Sequence, residues 1–104
     1  MIERAHFSGE RTPYLVIGAA RRTALTRECV RVGRARENDV VIDDARVSRR
    51  HVELRWLREV NRYLIVDVGS SGGTRLNGYA IRQCTLEHGD VIELGGCAIR
   101  YEDE

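Results

Sequence analysis

The chain has 104 residues, enough for one small domain, and its 42% apolar share is enough to fill one modest core. A formal net charge of +1 excludes a global field that would draw the chain to nucleic acid or to a membrane surface. Every basic side chain is an arginine. A guanidinium can bond two phosphate oxygens at once, so the preference for arginine over lysine fits phosphate binding. A GC-rich genome would produce the same preference.

The N-terminal segment 1–13 is predicted to be poorly ordered and ends at the only proline. No signal peptide is expected, because residues 1–6 carry an acidic residue and no apolar run. Three cysteines have spacings that fit neither a disulfide framework nor a metal site. We therefore predict a cytoplasmic protein without metal or cofactor, with reduced and buried thiols at Cys29, Cys84 and Cys97.

From residue 14 to residue 104 the sequence predicts one all-β domain. Tyr14–Ile17 is the predicted first strand, and apolar and polar residues alternate in several later segments, as in half-buried strands. The residues predicted to face inward along these strands are Val30 and Val32; Val52, Leu54 and Trp56; Leu64, Val66 and Val68; and Cys97, Ile99 and Tyr101.

Turn signals separate these segments. Asn77-Gly78 predicts a two-residue hairpin turn, and further glycines mark loops near residues 69, 72–73, 89 and 95–96. Many short strands joined by tight polar turns favour an antiparallel sandwich.

One competing interpretation concerns the stretch from Val52 to Leu64, whose apolar residues also fit one helical stripe. Leu54 falls off that stripe, and residues 59–61 make a serviceable hairpin turn. Two strands and a turn are therefore favoured over a helix.

Four polar clusters interrupt the strands, and loops of a sandwich gather at its ends. Together the clusters offer a guanidinium, hydroxyls and backbone N–H groups, a donor-rich concavity suited to a tetrahedral dianion. The clusters are Gly33-Arg34, Ser48-Arg49-Arg50-His51, Ser70-Ser71-Gly72-Gly73-Thr74 and Asn77-Gly78.

In this order, the four clusters resemble the motif series of forkhead-associated (FHA) domains. The residues around them, from about Val30 to Tyr101, are also similar to that family. The resemblance implies an all-β fold, an antiparallel β-sandwich of two twisted sheets, with recognition loops at one end that bind phosphothreonine.

The resemblance also implies roles for individual residues. Arg34 would pair with the phosphate, and the Ser48 hydroxyl would bond one of its oxygens. Ser71 would add a second hydroxyl or its N–H, and Arg49 would add backbone or guanidinium contacts. Arg46 lies where the family often reads the peptide residue three positions after the phosphothreonine, and it would favour an acidic side chain there.

A second group of residues is expected to shape the site without touching the ligand. His51 resembles the family histidine that holds the loops by hydrogen bonding, and Asn77-Gly78 is similar to a turn behind the site. Gly33, Gly73 and Thr74 belong to the same motifs. Gly72 departs from the family, which usually carries an asparagine that holds the peptide main chain. Phosphate capture is expected to survive this change, whereas peptide affinity and selectivity are left open.

The expected function is a phosphothreonine-peptide-binding module in Ser/Thr kinase signalling, with a phosphorylated kinase or kinase substrate as partner. The alternative is a degenerate FHA domain used for phosphate-independent docking or dimerisation. The absence of the usual asparagine at Gly72 supports this alternative. The sequence does not predict an enzyme. Residues 69–73 match the G-x-S-x-G motif of a nucleophile elbow around Ser71, but that motif requires a helix after it, and here a short strand and a hairpin turn are predicted. Nucleic-acid binding by Arg46, Arg49 and Arg50 is not expected either, because no aromatic residue interleaves for base stacking.

Overall fold

The computed structural model describes residues 12–103. The prediction for segment 1–13 therefore lies outside the described residues, apart from Thr12 and Pro13. Within the described range, no helix has the length and apolarity that a membrane crossing needs.

The described chain is built from short strands joined by tight turns, as the alternating pattern predicts. The strands are β1 (Tyr14–Ile17), β2 (Arg21–Ala24), β3 (Cys29–Gly33), β4 (Val40–Val41), β5 (Val52–Leu57), β6 (Arg62–Asp67), β7 (Thr74–Leu76), β8 (Tyr79–Ile81), β9 (Gln83–Thr85), β10 (Val91–Leu94) and β11 (Cys97–Glu102).

These strands form two sheets that enclose one core. The six-stranded sheet has the order β2-β1-β11-β10-β7-β8, and the five-stranded sheet has the order β4-β3-β5-β6-β9. Pairing is antiparallel except between β3 and β4, which run parallel. The predicted β-sandwich is confirmed, with this one parallel pair as an addition. The strand predicted at Tyr14–Ile17 is β1, which pairs with β11.

The core lies between the inner faces of the two sheets and consists mainly of aliphatic side chains. Leu54 of β5 faces Ile65 of β6 across their ladder, and both are almost completely buried. Tyr63 is also buried, and its hydroxyl donates to the backbone carbonyl of Arg27 at 2.7 Å. Burying such side chains supplies most of the stability of a small sandwich.

The inward face predicted for β6 is wrong. Tyr63 and Ile65 point into the core, whereas Leu64 and Val66 are only partly buried. Both alternating sets of β6 are apolar, so the period of two does not choose between them. Pairing with Leu54 decides the choice, because residues directly opposite each other share a face.

The predicted burial of all three thiols is also wrong. Cys29 is exposed, and Cys84 and Cys97 are partly buried. Cys29 stands next to Val30, whose side chain is buried, so strand alternation turns the thiol outward.

The competing helix between Val52 and Leu64 does not form. This stretch is the β5–β6 hairpin, whose pairing closes at Leu57 and Arg62. Asn61 takes a positive φ of 53° in the turn, a conformation that asparagine tolerates well. The predicted turn around residues 59–61 is therefore confirmed.

Candidate functional site

Three loops with polar sequences meet at one end of the sandwich. Val52 lies opposite Val32 in one neighbouring strand and opposite Asp67 in the other. The loops attached to these residues therefore leave the five-stranded sheet at the same end. We call them the rim: residues 34–39, 42–51 and 68–73.

Gly33 ends β3 where the rim loops approach most closely. A Cβ on Gly33 would overlap the carbonyl oxygen of Arg49 and lie 2.9 Å from Nδ2 of Asn38. That carbonyl accepts hydrogen bonds from the Ala35 N–H at 3.1 Å and from Asn38 Nδ2 at 2.7 Å. Only glycine leaves room for this approach.

Arg34 follows Gly33 and is exposed at the rim. Its backbone N–H donates to the Ser48 carbonyl at 2.9 Å, and its Nε donates to the Val47 carbonyl at 3.0 Å. These bonds hold the guanidinium beside the loop that carries Ser48. Among residues 12–103, no acidic side chain pairs with Arg34, so its terminal nitrogens are available to a ligand.

Ser48 and Ser71 come together although 23 residues separate them. Their hydroxyl oxygens are 3.4 Å apart, and the Ser71 N–H donates to Ser48 Oγ at 3.1 Å. The Ser71 side chain is exposed and that of Ser48 is partly so. The pair therefore offers two neighbouring hydroxyls to the same small anion, while the Ser71 N–H holds the Ser48 hydroxyl in place.

His51 joins the loops from beneath and is completely buried. Its Nδ1 accepts the Ser48 N–H at 3.0 Å, and its Nε2 lies 2.8 Å from the carbonyl oxygen of Gly73. Because a backbone N–H only donates, Nδ1 carries no proton here. The proton is therefore on Nε2, which donates to Gly73.

Asp67 organises the loop that carries Ser71. One carboxylate oxygen accepts the N–H groups of Gly69 and Ser70, and the other accepts the hydroxyls of Ser70 and Thr74 at 2.6 Å each. Burial raises the pKa of Asp67, but these hydrogen bonds outweigh it and lower the pKa to about 2. The carboxylate is therefore charged in the folded protein at neutral pH.

Gly73 and Thr74 complete this loop. Gly73 has a φ of +81°, which favours glycine, and its N–H donates to Ser70 Oγ at 2.9 Å. Thr74 is buried and begins β7. Both residues thus fix the direction in which the chain leaves the rim.

Arg46 is already engaged by an acidic side chain of the chain itself. Its Nε and one terminal nitrogen donate to the two carboxylate oxygens of Asp44 at 3.2 and 3.1 Å. The side-chain hydrogen bond from Arg46 is the main cause that lowers the pKa of Asp44. The guanidinium also packs against Gly96, where a Cβ would overlap it. An acidic peptide residue would have to compete with Asp44 for Arg46.

Gly72 sits in open space. A Cβ placed there would meet only the carbonyl oxygen of Arg46, at 3.8 Å, and Gly72 has no positive φ. A Cβ at position 72 therefore has room in this chain.

Asn77-Gly78 lies away from the rim, at the far end of β7. Both residues have positive φ, 52° and 88°, and Leu76 pairs with Tyr79, as in a two-residue hairpin turn. The Asn77 side chain bonds the Val91 N–H and the Asp90 carboxylate. The turn thus ties the β7–β8 hairpin to β10.

Two organising residues, Asp67 and Asn38, were not assigned a role from the sequence. Asp67 stands three residues before Ser70, the spacing at which a short acidic side chain bonds nearby N–H groups. The role of Asn38 is harder to predict from the sequence than that of Asp67. Its side chain bonds two main-chain carbonyls that come together only in the folded loop.

The arrangement favours anion binding over catalysis or metal binding. Residues 69–73 lead into β7 and not into the helix that a nucleophile elbow requires. Within residues 12–103, no group of three or more His, Cys, Asp or Glu side chains lies close enough to hold a metal ion.

The family model described as "FHA domain" matches residues 30–95, which is more than half of the chain. The oxoglutarate dehydrogenase inhibitor of Corynebacterium jeikeium is 40% identical over 77 residues, which cover 74% of this chain and 52% of that relative. The chain thus spans about half the length of the curated relatives it matches.

Solved structures give the same result for the fold. A structure from a study of phosphothreonine-dependent FHA domain interactions superposes with a TM-score of 0.81 at 31% identity, over 88% of this chain and 95% of that one. EmbR of Mycobacterium tuberculosis, in complex with a low-affinity phosphopeptide, gives a TM-score of 0.79 at 32% identity, over 88% of this chain and 24% of that one.

Proposed function

The chain belongs to the FHA domain family, and on that premise we propose that it is a phosphothreonine-binding module. Its partner is a phosphorylated protein in Ser/Thr kinase signalling, either a kinase or a kinase substrate. The observation that carries this proposal is the convergence of the Ser48 and Ser71 hydroxyls, 3.4 Å apart, at the rim.

The proposed mechanism is charge-assisted hydrogen bonding to a phosphate that carries about −1.5 to −2 charges at neutral pH. Arg34 supplies its terminal guanidinium nitrogens, Ser48 its hydroxyl, and Ser71 its hydroxyl or N–H. Each bond to a charged group contributes roughly 1.5–3 kcal/mol net. Two or three such bonds supply roughly 3–9 kcal/mol before the cost of ordering the peptide, towards the roughly 8 kcal/mol of a micromolar Kd.

Preference for threonine over serine follows from the extra methyl group. Burying one methyl contributes only about 0.8 kcal/mol, a few-fold preference. The β-branched side chain also has less rotamer freedom to lose on binding. The preference rests on the family's use of phosphothreonine and not on a methyl pocket seen in this chain.

We further propose a binding role without catalysis, in the cytoplasm. The free thiols of the three cysteines are in keeping with a reducing compartment. The proposed domain spans residues 14–104, because β1 and β11 both lie outside residues 30–95 and yet pair with each other in the six-stranded sheet.

A titration with three matched peptides tests the proposed function. The peptides carry phosphothreonine, phosphoserine or plain threonine in one sequence, and binding is followed by fluorescence anisotropy. We expect affinity to fall in that order, with little binding of the plain peptide. Arg34→Ala should lose most of the binding, whereas the control Arg58→Ala, in the β5–β6 turn, should bind like the parent. Equal binding of all three peptides would contradict the proposal.

Gly72 supports a second candidate, an FHA fold that docks a partner without phosphate. The open space at Gly72 removes the side chain that usually holds the peptide main chain. Phosphate-independent docking would treat the three peptides alike and leave Arg34→Ala unaffected, so the same titration separates the two candidates.

A further inference from the structure

The rim also contains a depression of about 240 Å³, which Arg34, Ser48 and Ser71 do not line. The β3–β4 loop forms one side, and the stretch before β5 forms the other. It is lined by Arg31, Ala35, Glu37, Asn38, Arg49 and Arg50.

The charge of this depression is predominantly positive. Three arginines line it, against the single acidic residue Glu37. None of Arg31, Arg49 and Arg50 takes part in an ion pair within the described part of the chain. Like charges held together in a concave surface attract an anion from solution.

The other acidic groups near Arg31 already have partners. Asp39 accepts the Arg31 N–H and pairs with Arg27 at 3.5 Å. Glu53, opposite Arg31 in the sheet, pairs with Arg55 at 3.0 Å. The guanidinium of Arg31 therefore has no carboxylate partner among residues 12–103.

The depression is continuous with the proposed phosphate contacts. Ala35 follows Arg34, Arg49 follows Ser48, and the Ala35 N–H donates to the Arg49 carbonyl at 3.1 Å. An extended peptide advances about 3.3–3.6 Å per residue. A residue only a few positions from the phosphothreonine therefore reaches this depression.

We propose that the depression binds a second anionic group, a carboxylate or a phosphate, of the same phosphopeptide. The proposal rests on the proposed function and adds a selectivity determinant to it. Arg31 and Arg50 supply the charge, and their guanidinium groups donate to the oxygens of the second anion. The ligand is thus a peptide with two anionic residues rather than an isolated phosphothreonine.

The test compares the singly phosphorylated peptide with a series that carries one additional glutamate or phosphothreonine. The added residue is moved through positions two to five on each side of the first phosphothreonine. At the best position, we expect the parent protein to bind about tenfold more tightly, as one charge-assisted hydrogen bond supplies. A larger gain from phosphate than from glutamate identifies the second anion as a phosphate, and an equal gain identifies a general anion site.

The double variant Arg31→Gln/Arg50→Gln changes the depression and leaves the proposed phosphate contacts intact. We expect it to bind the singly phosphorylated peptide like the parent and to lose the tenfold gain. Arg58→Gln removes a similar charge in the β5–β6 turn and should keep the gain.

The inference is overturned, and the proposed function is left standing, by a parent protein that treats both kinds of peptide alike at every position. A gain in affinity that persists in the double variant has the same consequence. A gain lost equally in Arg58→Gln also overturns it, because net charge would then be the cause. If no phosphopeptide binds at all, the proposed function fails as well.

Discussion

Nε2 of His51 lies 2.8 Å from the carbonyl oxygen of Gly73 and joins the residue before β5 to the residue before β7. The same ring accepts the Ser48 N–H, so one buried imidazole connects two rim loops. The two loops carry the hydroxyls of Ser48 and Ser71. Their spacing therefore depends on a side chain that solvent does not reach.

Replacing His51 by alanine is expected to lower the free energy of unfolding by about 2–4 kcal/mol, because two buried hydrogen bonds and their ring are lost. Urea unfolding followed by tryptophan fluorescence measures the loss. His88→Ala, at an exposed histidine, should stay within about 0.5 kcal/mol of the parent. A His51→Ala protein as stable as the His88→Ala protein would show that the imidazole does not hold the loops.

Asp67→Asn tests the network beneath Ser71. The folded pKa of about 2 lies below the ordinary value near 3.8. The charged carboxylate therefore stabilises the fold above pH 4, and this contribution disappears as pH falls through about 2. The pKa difference corresponds to about 2.5 kcal/mol, because one unit is about 1.4 kcal/mol, and solvent screening of this partly exposed group makes that value an upper limit.

We expect Asp67→Asn to be less stable than the parent at pH 7 and to approach it at pH 2. Chemical unfolding at pH 7, 4, 3 and 2 measures this difference, with Asp43→Asn as an exposed control that should match the parent throughout. A constant difference across this range would mean that the charge of Asp67 is not what stabilises the loop.

The sequence predicts the sandwich because most inward and outward residues alternate clearly, as Val30 and Val32 do with Arg31 between them. It fails at β6, where Leu64 and Ile65 are both apolar and only the pairing with β5 selects the inner face. Short-range turn chemistry was readable at Asn77-Gly78, because positive φ at both positions restricts the residue types.

The order of the motifs predicts the rim residues, but the sequence does not predict their contacts. The bonds of Arg46 to Asp44 depend on a side-chain conformation that two neighbouring charges adopt in the folded loop. Arg31 and Arg50 line the same depression. They lie close together only because the β3–β4 loop folds beside the stretch before β5.

Gly33→Ala tests the close approach of two rim loops. The added methyl would overlap the Arg49 carbonyl, which is main chain and cannot rotate away. We expect a loss of about 3 kcal/mol in unfolding free energy, at the upper end for overpacking. Gly72→Ala is the matched control, since its Cβ has open space and an ordinary φ, and it should not destabilise the fold. Equal stability of the two variants would mean that the loops can move apart without lowering the free energy of unfolding.

Gly72→Asn tests whether the open space at the rim limits peptide affinity. Its Cβ would meet only the Arg46 carbonyl, at 3.8 Å, so the first side-chain atom fits without displacing the main chain. An amide there can bond the peptide main chain, as the family asparagine does. One such neutral bond contributes about 0.5–1.5 kcal/mol, which is roughly a two- to tenfold gain in affinity for a phosphothreonine peptide.

The gain in peptide affinity expected for Gly72→Asn should require both the added amide and the phosphate of the peptide. Gly72→Ala adds the Cβ without the amide and should bind like the parent, while plain threonine peptide should gain nothing from Gly72→Asn. Titration of both variants with both peptides gives the four affinities needed. If Gly72→Asn does not bind phosphothreonine peptide more tightly than Gly72→Ala does, the peptide main chain does not pass residue 72, and affinity is set elsewhere on the rim.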